Sequence, residues 1–301
     1  MIDPRGMKVF LAVCRANSIS GGARLLNISQ PSVSSAIALL EKAVGAVLFA
    51  RTHQGIVLTK EGEVLHRRAQ ALDQLLSDAA EELRLTRSGV AGPLRIGGTP
   101  GALVSLLPDA VERLGARIGR LDLRVVERPD HDLTQMLRSG EIELAFVTTA
   151  LGEVPDDIEE MTFSQDPFAL VVGRQNDYLP ASLSLRDITG MGWVLPEAQG
   201  AFRRQIDALF VASDIAAPQD VIRCDSLLTT KAIVRGGARV TILPMKVASA
   251  ELSIGVLRAI TIREATFPRS IGVRRLAGAR MSLVGQGLLD ALAHRDSLWR
   301  S

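Results

Sequence analysis

The 301-residue chain is 47% apolar, 23% charged and only 4% aromatic, a balance that excludes a disordered or fibrous polymer and allows a buried core. No run approaches the roughly 20 apolar residues of a membrane helix, and the opening MIDPRGMKVF has no secretory apolar stretch. The reading is therefore a cytoplasmic protein of two or three domains with no membrane partner.

Cys14 and Cys224 lie far apart, which argues against a disulfide framework and fits a reducing compartment. The net charge of +2 is uneven: residues 1–68 hold nine Lys and Arg against four acids, net +5, leaving −3 for the remainder. A basic end marks either a nucleic-acid face or a merely soluble surface.

In chain order, Met7 to Ala16 is predicted as a helix whose Val9, Phe10 and Val13 form an apolar face, with Cys14 as a small buried hydrophobe. Ser18 to Gly45 follows as helix, tight turn, helix. Leu25, Leu26 and Ile28 close the first helix and its exit on apolar residues, and Asn27 tolerates the left-handed backbone that ends it. Ser29 is suited to cap the next helix, and Pro31 is allowed because it falls in that helix's first turn.

Val33, Ile37 and Leu40 repeat at the four-then-three spacing of a buried stripe, while Pro31, Ser34, Ser35, Ala38 and Lys42 occupy the opposite face. Small hydroxyls near the start and a cation further along suit a helix in the DNA major groove, hydroxyls to base edges and Lys42 to a phosphate. An ordinary αα-hairpin with a polar face is the competing reading.

Val47 to Thr59 shortens into two strands around His53-Gln54-Gly55, a wing with Arg51 leading into it. Arg51 is placed for a minor groove, a phosphate or a surface salt bridge. Thr59 then caps a long helix, Lys60 to Arg87, along which Leu65, Ala69, Leu72, Leu76, Ala79 and Leu83 form a narrow coiled-coil-like seam. Ser88 to Pro93 reads as the linker.

From Leu94 onward apolar strands alternate with amphipathic helices, predicting a parallel sheet with covering helices. The strands are Leu94 to Gly98, Leu121 to Glu127 and Glu143 to Thr148, then Phe168 to Gly173, Gly192 to Leu195, Asp220 to Cys224, Arg239 to Leu243 and Pro268 to Arg275. Ligands in such folds bind beyond the carboxyl ends of strands. Those turns hold Thr99-Pro100-Gly101, Thr148 and Thr149, and Gln199-Gly200-Ala201-Phe202, whose hydroxyls and helix-start N–H groups suit an anionic or hydroxyl-rich small molecule. Each threonine alone also reads as a helix cap. Arg128, Arg203 and Arg204 are alternative carboxylate partners, and nothing in the sequence chooses among them.

The run Phe10-Leu11-Ala12-Val13, then Ser18, Ala23, Leu26, Ser29-Gln30-Pro31-Ser32-Val33-Ser34, Ile37, Leu40-Glu41, Gly45, Leu48-Phe49, Arg51, Leu58-Thr59 and Gly62 resembles the N-terminal domain of LysR-type transcriptional regulators. Leu137 to Ala145 and Gly236 to Pro244 resemble the same family's effector domain more weakly. The resemblance implies an α/β fold with a winged helix-turn-helix over residues 1–60, a linker helix and hinge over 61–92, and a two-lobed periplasmic-binding-protein-like domain over 93–301. Lobe I would take about 93–163 and 267–301, lobe II about 164–266.

It also implies DNA contacts from Ser29, Gln30, Pro31, Ser32, Ser34, Ser35, Lys42, Arg51, His53, Gln54 and Thr59, and an effector held by Thr99, Pro100, Gly101, Arg128, Thr148, Thr149, Gln199, Gly200, Ala201 and Phe202. The linker helix pairs two protomers in that family, so the partners expected are a second copy or a homotetramer, an inverted-repeat operator and RNA polymerase. Two departures stand out. Gly22 replaces a usual alanine and should soften its helix by up to about 1 kcal/mol, and Ser35 replaces a longer base-reading side chain.

An enzyme on the α/β lobes is the competing class. The four histidines (53, 66, 131, 294) have no metal-ligand spacing with the cysteines, and no P-loop, GxSxG elbow or dinucleotide fingerprint occurs. No catalytic residue, metal or cofactor is therefore expected. A transport solute-binding protein would carry a signal peptide, and a redox sensor would need a second cysteine in the regulatory lobes, although a lone reactive Cys224 stays open.

Overall fold

Asp3 sets where the first helix begins: its backbone is extended and Oδ1 accepts the Arg5 N–H at 3.1 Å. With Pro4 in the first turn, α1 (Pro4–Ala16) starts three residues before the predicted Met7. The computed structural model describes residues 2–293 apart from His53, Gln54, Gln199 and Pro268. The chain divides into two compact units, Met1–Ser88 with Gln135–Glu141, and Gly89–Thr134 with Ile142–Ser301.

In the first unit, Ser18 Oγ accepts the Gly21 N–H to start α2 (Ile19–Leu26), and Asn27 ends it at φ 52°. Ser29 Oγ accepts the Ser32 N–H at 3.3 Å to start α3 (Gln30–Val44), Pro31 lies in its first turn, and Gly45 ends it at φ 71°. Asn27, Ser29 and Pro31 act as the sequence predicts, and Ser18 and Gly45 complete the punctuation. Val33, Ile37 and Leu40 pack with Phe10, Leu11, Val13 and Ala23 in one core. Leu25 and Ile28, by contrast, remain exposed.

The wing is an antiparallel pair, β1 (Phe49–Thr52) and β2 (Gly55–Leu58), in register from Phe49 opposite Leu58 to Thr52 opposite Gly55. Thr59 caps α4 (Lys60–Arg87), with Glu61 and Glu63 at its positive end. The predicted seam on α4 is divided. Leu65 and Ala69 belong to the winged domain's own core, so they are not available to a partner, whereas Leu75, Leu76 and Leu83 are 64%, 58% and 65% exposed.

The second unit begins with β3 (Ala91–Gly98), α5 (Pro100–Ile118), β4 (Leu121–Glu127), α6 (Asp130–Ser139), β5 (Leu144–Thr148) and β6 (Ile158–Asp166). It continues with β7 (Phe168–Val172), β8 (Ser182–Leu183), β9 (Trp193–Leu195), α7 (Ala201–Ala212), β10 (Val221–Arg223), α8 (Leu227–Gly236) and β11 (Val240–Pro244). Then come α9 (Ser249–Ser253), β12 (Arg258–Ile262), β13 (Arg269–Leu276) and α10 (Leu283–Ala293). Ala91 to Pro93, read from sequence as linker, thus open β3, and the β3–β4 register shifts there, where a proline interrupts the ladder without breaking the strand.

Among the described residues one sheet has the order β4-β3-β5-β13-β6 and another β10-β9-β11-β7-β12-β8. The predicted parallel pairing holds for β3 with β4 and β5 and for β9 with β10 and β11, and is corrected elsewhere: β13 runs antiparallel to both β5 and β6, and β7 antiparallel to both β11 and β12. The cause is connectivity. Only Pro167 separates β6 from β7, so the chain passes from sheet to sheet without the crossover helix that parallel pairing requires. One core packs Leu94, Ile96, Phe146, Ile271 and Val273 against Leu106 of α5 and Leu288 of α10. The other packs Leu170, Val172, Ile242 and Ile260 against Trp193 and the α7 residues Ile206, Leu209 and Phe210.

Candidate functional site

Two surfaces gather the predicted site residues. On α3, Gln30, Pro31, Ser32, Ser34, Ser35 and Lys42 are exposed while Val33, Ile37 and Leu40 are buried, so the helical period sorts the polar candidates to one side. Gln30 is held from α2, its Oε1 accepting from Ser20 Oγ at 3.1 Å. Two predicted contact residues also have internal roles. Ser29 Oγ caps α3 and shares a 2.8 Å hydrogen bond with Ser32 Oγ. The Thr59 hydroxyl donates to the Val47 carbonyl at 2.7 Å and accepts the Gly62 N–H at 3.0 Å. Arg51 lies on β1 opposite Ile56; His53 and Gln54 lie outside the described residues.

The second surface is a cavity of about 460 Å3 in the second unit, reached by both sheets. It is lined by Thr99, Pro100, Gly101, Arg128, Thr148, Gly200, Ala201 and Phe202 among the predicted residues. Gln199 lies outside the described residues. Thr149 does not line the cavity: strand alternation turns it the other way, and its Oγ1 lies 2.7 Å from Thr162 Oγ1. Phe202 stacks on Phe168 with ring centroids 6.2 Å apart.

The three arginines left open by the sequence now separate. Arg203 lines the cavity but is already engaged by Asp207 on its own helix at 2.8 Å and by the Pro196 carbonyl at 2.7 Å. Arg128 and Arg204 are exposed.

A fourth arginine, which sequence reasoning missed, is the buried one. Arg269 is 2% exposed, its Nε donates to Thr148 Oγ1 at 2.9 Å, and its Nη1 has no hydrogen-bond partner. Burial pushes its guanidinium down to about 10, a shift partly offset by the nearby Asp166 carboxylate, so it stays charged at neutral pH. Asp166, opposite Arg269 in the β6–β13 register, accepts from Ser105 Oγ at 3.1 Å and the Lys246 N–H at 3.0 Å. The signal was parity: Arg269 shares its strand face with the apolar Ile271 and Val273, both buried.

Thr99 was open to reading as a helix cap. Its side chain makes no cap hydrogen bond, and Oγ1 is buried without a partner. At the start of α5, Pro100 has no N–H, and Ala102 and Leu103 both donate to the Thr99 carbonyl. Gly101 is left as the first-turn donor with no intrahelical acceptor. A Cβ at Gly101 would lie 3.1 Å from Arg269 Nη1, so a larger residue would crowd the guanidinium. Among the described residues, no group of three His, Cys, Asp or Glu is placed to hold a metal, and no helix is long and apolar enough to cross a membrane.

Residues 4–63 match the family model of the bacterial regulatory helix-turn-helix protein, lysR family, and residues 87–297 match that of the LysR substrate binding domain. The chain is 24% identical over 294 residues to the HTH-type transcriptional regulator GalR of Pseudomonas putida, covering 97% of this chain and 74% of that one. Its fold is similar to that of a full-length OxyR variant from Pseudomonas aeruginosa, with a TM-score of 0.68 at 19% identity over 98% of this chain and 94% of the other. It is similar also to full-length LysG from Corynebacterium glutamicum with bound effector Arg, with a TM-score of 0.64 at 20% identity over 97% of each chain. With both family models in register with the winged helix-turn-helix and the two-sheet unit, the chain belongs to the LysR family, as a DNA-binding transcriptional regulator whose two-lobed domain is modulated by an effector.

Proposed function

We propose that the exposed face of α3 reads an inverted-repeat operator, Ser34 and Ser35 meeting base edges, Gln30 and Lys42 the backbone, and Arg51 of the wing a phosphate or minor groove. The sorting of α3 into a buried apolar stripe and an exposed hydroxyl face supports this reading. Two copies pair along the exposed part of α4, where Leu75, Leu76 and Leu83 lack cover within the chain. Pairing sets two recognition helices about one two-fold axis and therefore predicts a palindromic operator. Higher assembly to a homotetramer and contact with RNA polymerase at the promoter complete the proposal, with the protein acting in the cytoplasm.

The effector occupies the cavity beside Thr99, Thr148 and Phe202. The observation that carries this is the pair of buried, unpartnered polar atoms there, Thr99 Oγ1 and Arg269 Nη1, since such atoms are costly unless something binds them. Footprinting the full chain on the DNA flanking its own gene tests the first half. A protected inverted repeat is expected, and protection of a single unrepeated site would exclude the dimeric reading.

A further inference from the structure

We propose that the effector is a small carboxylate with an apolar body, and that Arg269 is its anchor; this rests on the cavity being the effector site. Three donors meet at one end of that cavity. Arg269 Nη1 and Thr99 Oγ1 are buried and unpartnered, and the Gly101 N–H opens α5 without an intrahelical acceptor. Thr148, accepting from Nε, fixes the plane of the guanidinium and leaves its other edge toward the space in front of Gly101. A planar fork beside a helix start matches a carboxylate, which takes two parallel N–H bonds.

The acids near the cavity do not fill this role, and Glu127, which also lines it, is exposed. Asp166 is already held by Ser105 and the Lys246 N–H. Asp130 pairs with Arg274 at 3.3 Å, and Asp225 accepts the Glu197 and Ala198 N–H groups at 2.9 Å each. Much of the remaining cavity wall is apolar, with Val194, Leu195, Phe202, Leu227, Leu243 and Val247 beside the hydroxyls of Thr230 and Thr241. A bare inorganic anion would satisfy the donors and leave that wall against water, whereas an apolar body buries it.

The test uses the full chain and titrates its melting temperature with benzoate, hexanoate, benzamide, hexanamide and sulfate. The wild type is compared with Arg269→Gln, Thr99→Val and Ala201→Trp, the last filling the cavity from α7. Both acids are expected to bind at least about tenfold more tightly than their amides and than sulfate. Arg269→Gln should weaken the acids about 10- to 100-fold and leave the amides within about twofold. Thr99→Val should weaken the acids about tenfold without lowering the melting temperature of the free protein, because no cap bond is lost.

Equal affinity for acid and amide, no binding of either acid at millimolar concentration, or sulfate binding tighter than both acids overturns the proposal. So does an acid affinity unchanged in Arg269→Gln. Should that variant fail to fold around Asp166, Thr99→Val decides by the same criterion. Ala201→Trp separates the two levels: loss of all binding keeps the cavity reading even where the carboxylate fails, and full binding in that variant overturns the cavity itself.

Discussion

A Cβ on Gly22 would lie 2.9 Å from Val13 Cγ2 and 3.1 Å from Val13 Cα, so α2 crosses α1 at a separation that suits glycine alone. Helix propensity alone assigns Gly22 only a softening effect on its helix. In the structure it is a packing residue. Gly22→Ala gains up to about 1 kcal/mol of helix propensity and incurs roughly 1–3 kcal/mol of overpacking. A net loss of about 1 kcal/mol is expected, read as a lower urea midpoint of the full chain. A higher midpoint would mean that α1 and α2 separate at little cost.

Leu76→Asp and Leu83→Asp are expected to dissociate the proposed dimer in sedimentation while leaving the far-ultraviolet dichroism of the chain intact. Both side chains are exposed within one protomer, so a charge there costs the single chain little and costs a paired seam several kcal/mol. Leu65→Asp is the contrast. That residue is in the winged domain's core, and its replacement should unfold the domain.

Lys42→Ala should weaken binding to specific and random duplexes alike. If each Lys42 neutralises one phosphate, the slope of log affinity against log salt falls by about two for a dimer. An unchanged slope in filter binding would remove Lys42 from the interface.

The two cysteines should differ toward alkylating reagents. Burial pushes the Cys14 thiol up to about 11, so its thiolate is scarce at neutral pH and appears only as pH rises toward that value. Cys224 lines the cavity and should be modified first, with the order read by peptide mass mapping. Faster labelling of Cys14 at neutral pH would contradict its burial.

Much of this was legible in the sequence, for identifiable reasons. Asn27, Ser29, Pro31 and Thr59 act through local backbone chemistry, which needs no knowledge of the rest of the chain. Val33, Ile37 and Leu40 declare their face by period alone. What escaped depends on distant partners. β6 is an edge strand, Ile158–Asp166, with polar residues on much of its length, and β8 has only two residues, so neither carries a strand pattern. The direction of β13 follows from how the chain passes between the sheets, which no local signal encodes. Arg269 was passed over because a charged residue in a strand is ordinarily assigned to the outside, although its parity with Ile271 points inward.

The place of β13 between β5 and β6 has a consequence during synthesis. β5 and β6 leave the ribosome more than a hundred residues before the strand that joins them, and the whole of the other sheet, Phe168 to Ile262, is made in the interval. Until Arg269–Leu276 arrives, β5 and β6 each present an unpaired backbone edge toward an empty slot. The second sheet therefore has the chance to fold first, and the first closes around the late strand. A nascent chain stalled before Arg269 is the form most exposed to capture by another copy's β13, and so the form that most needs a chaperone.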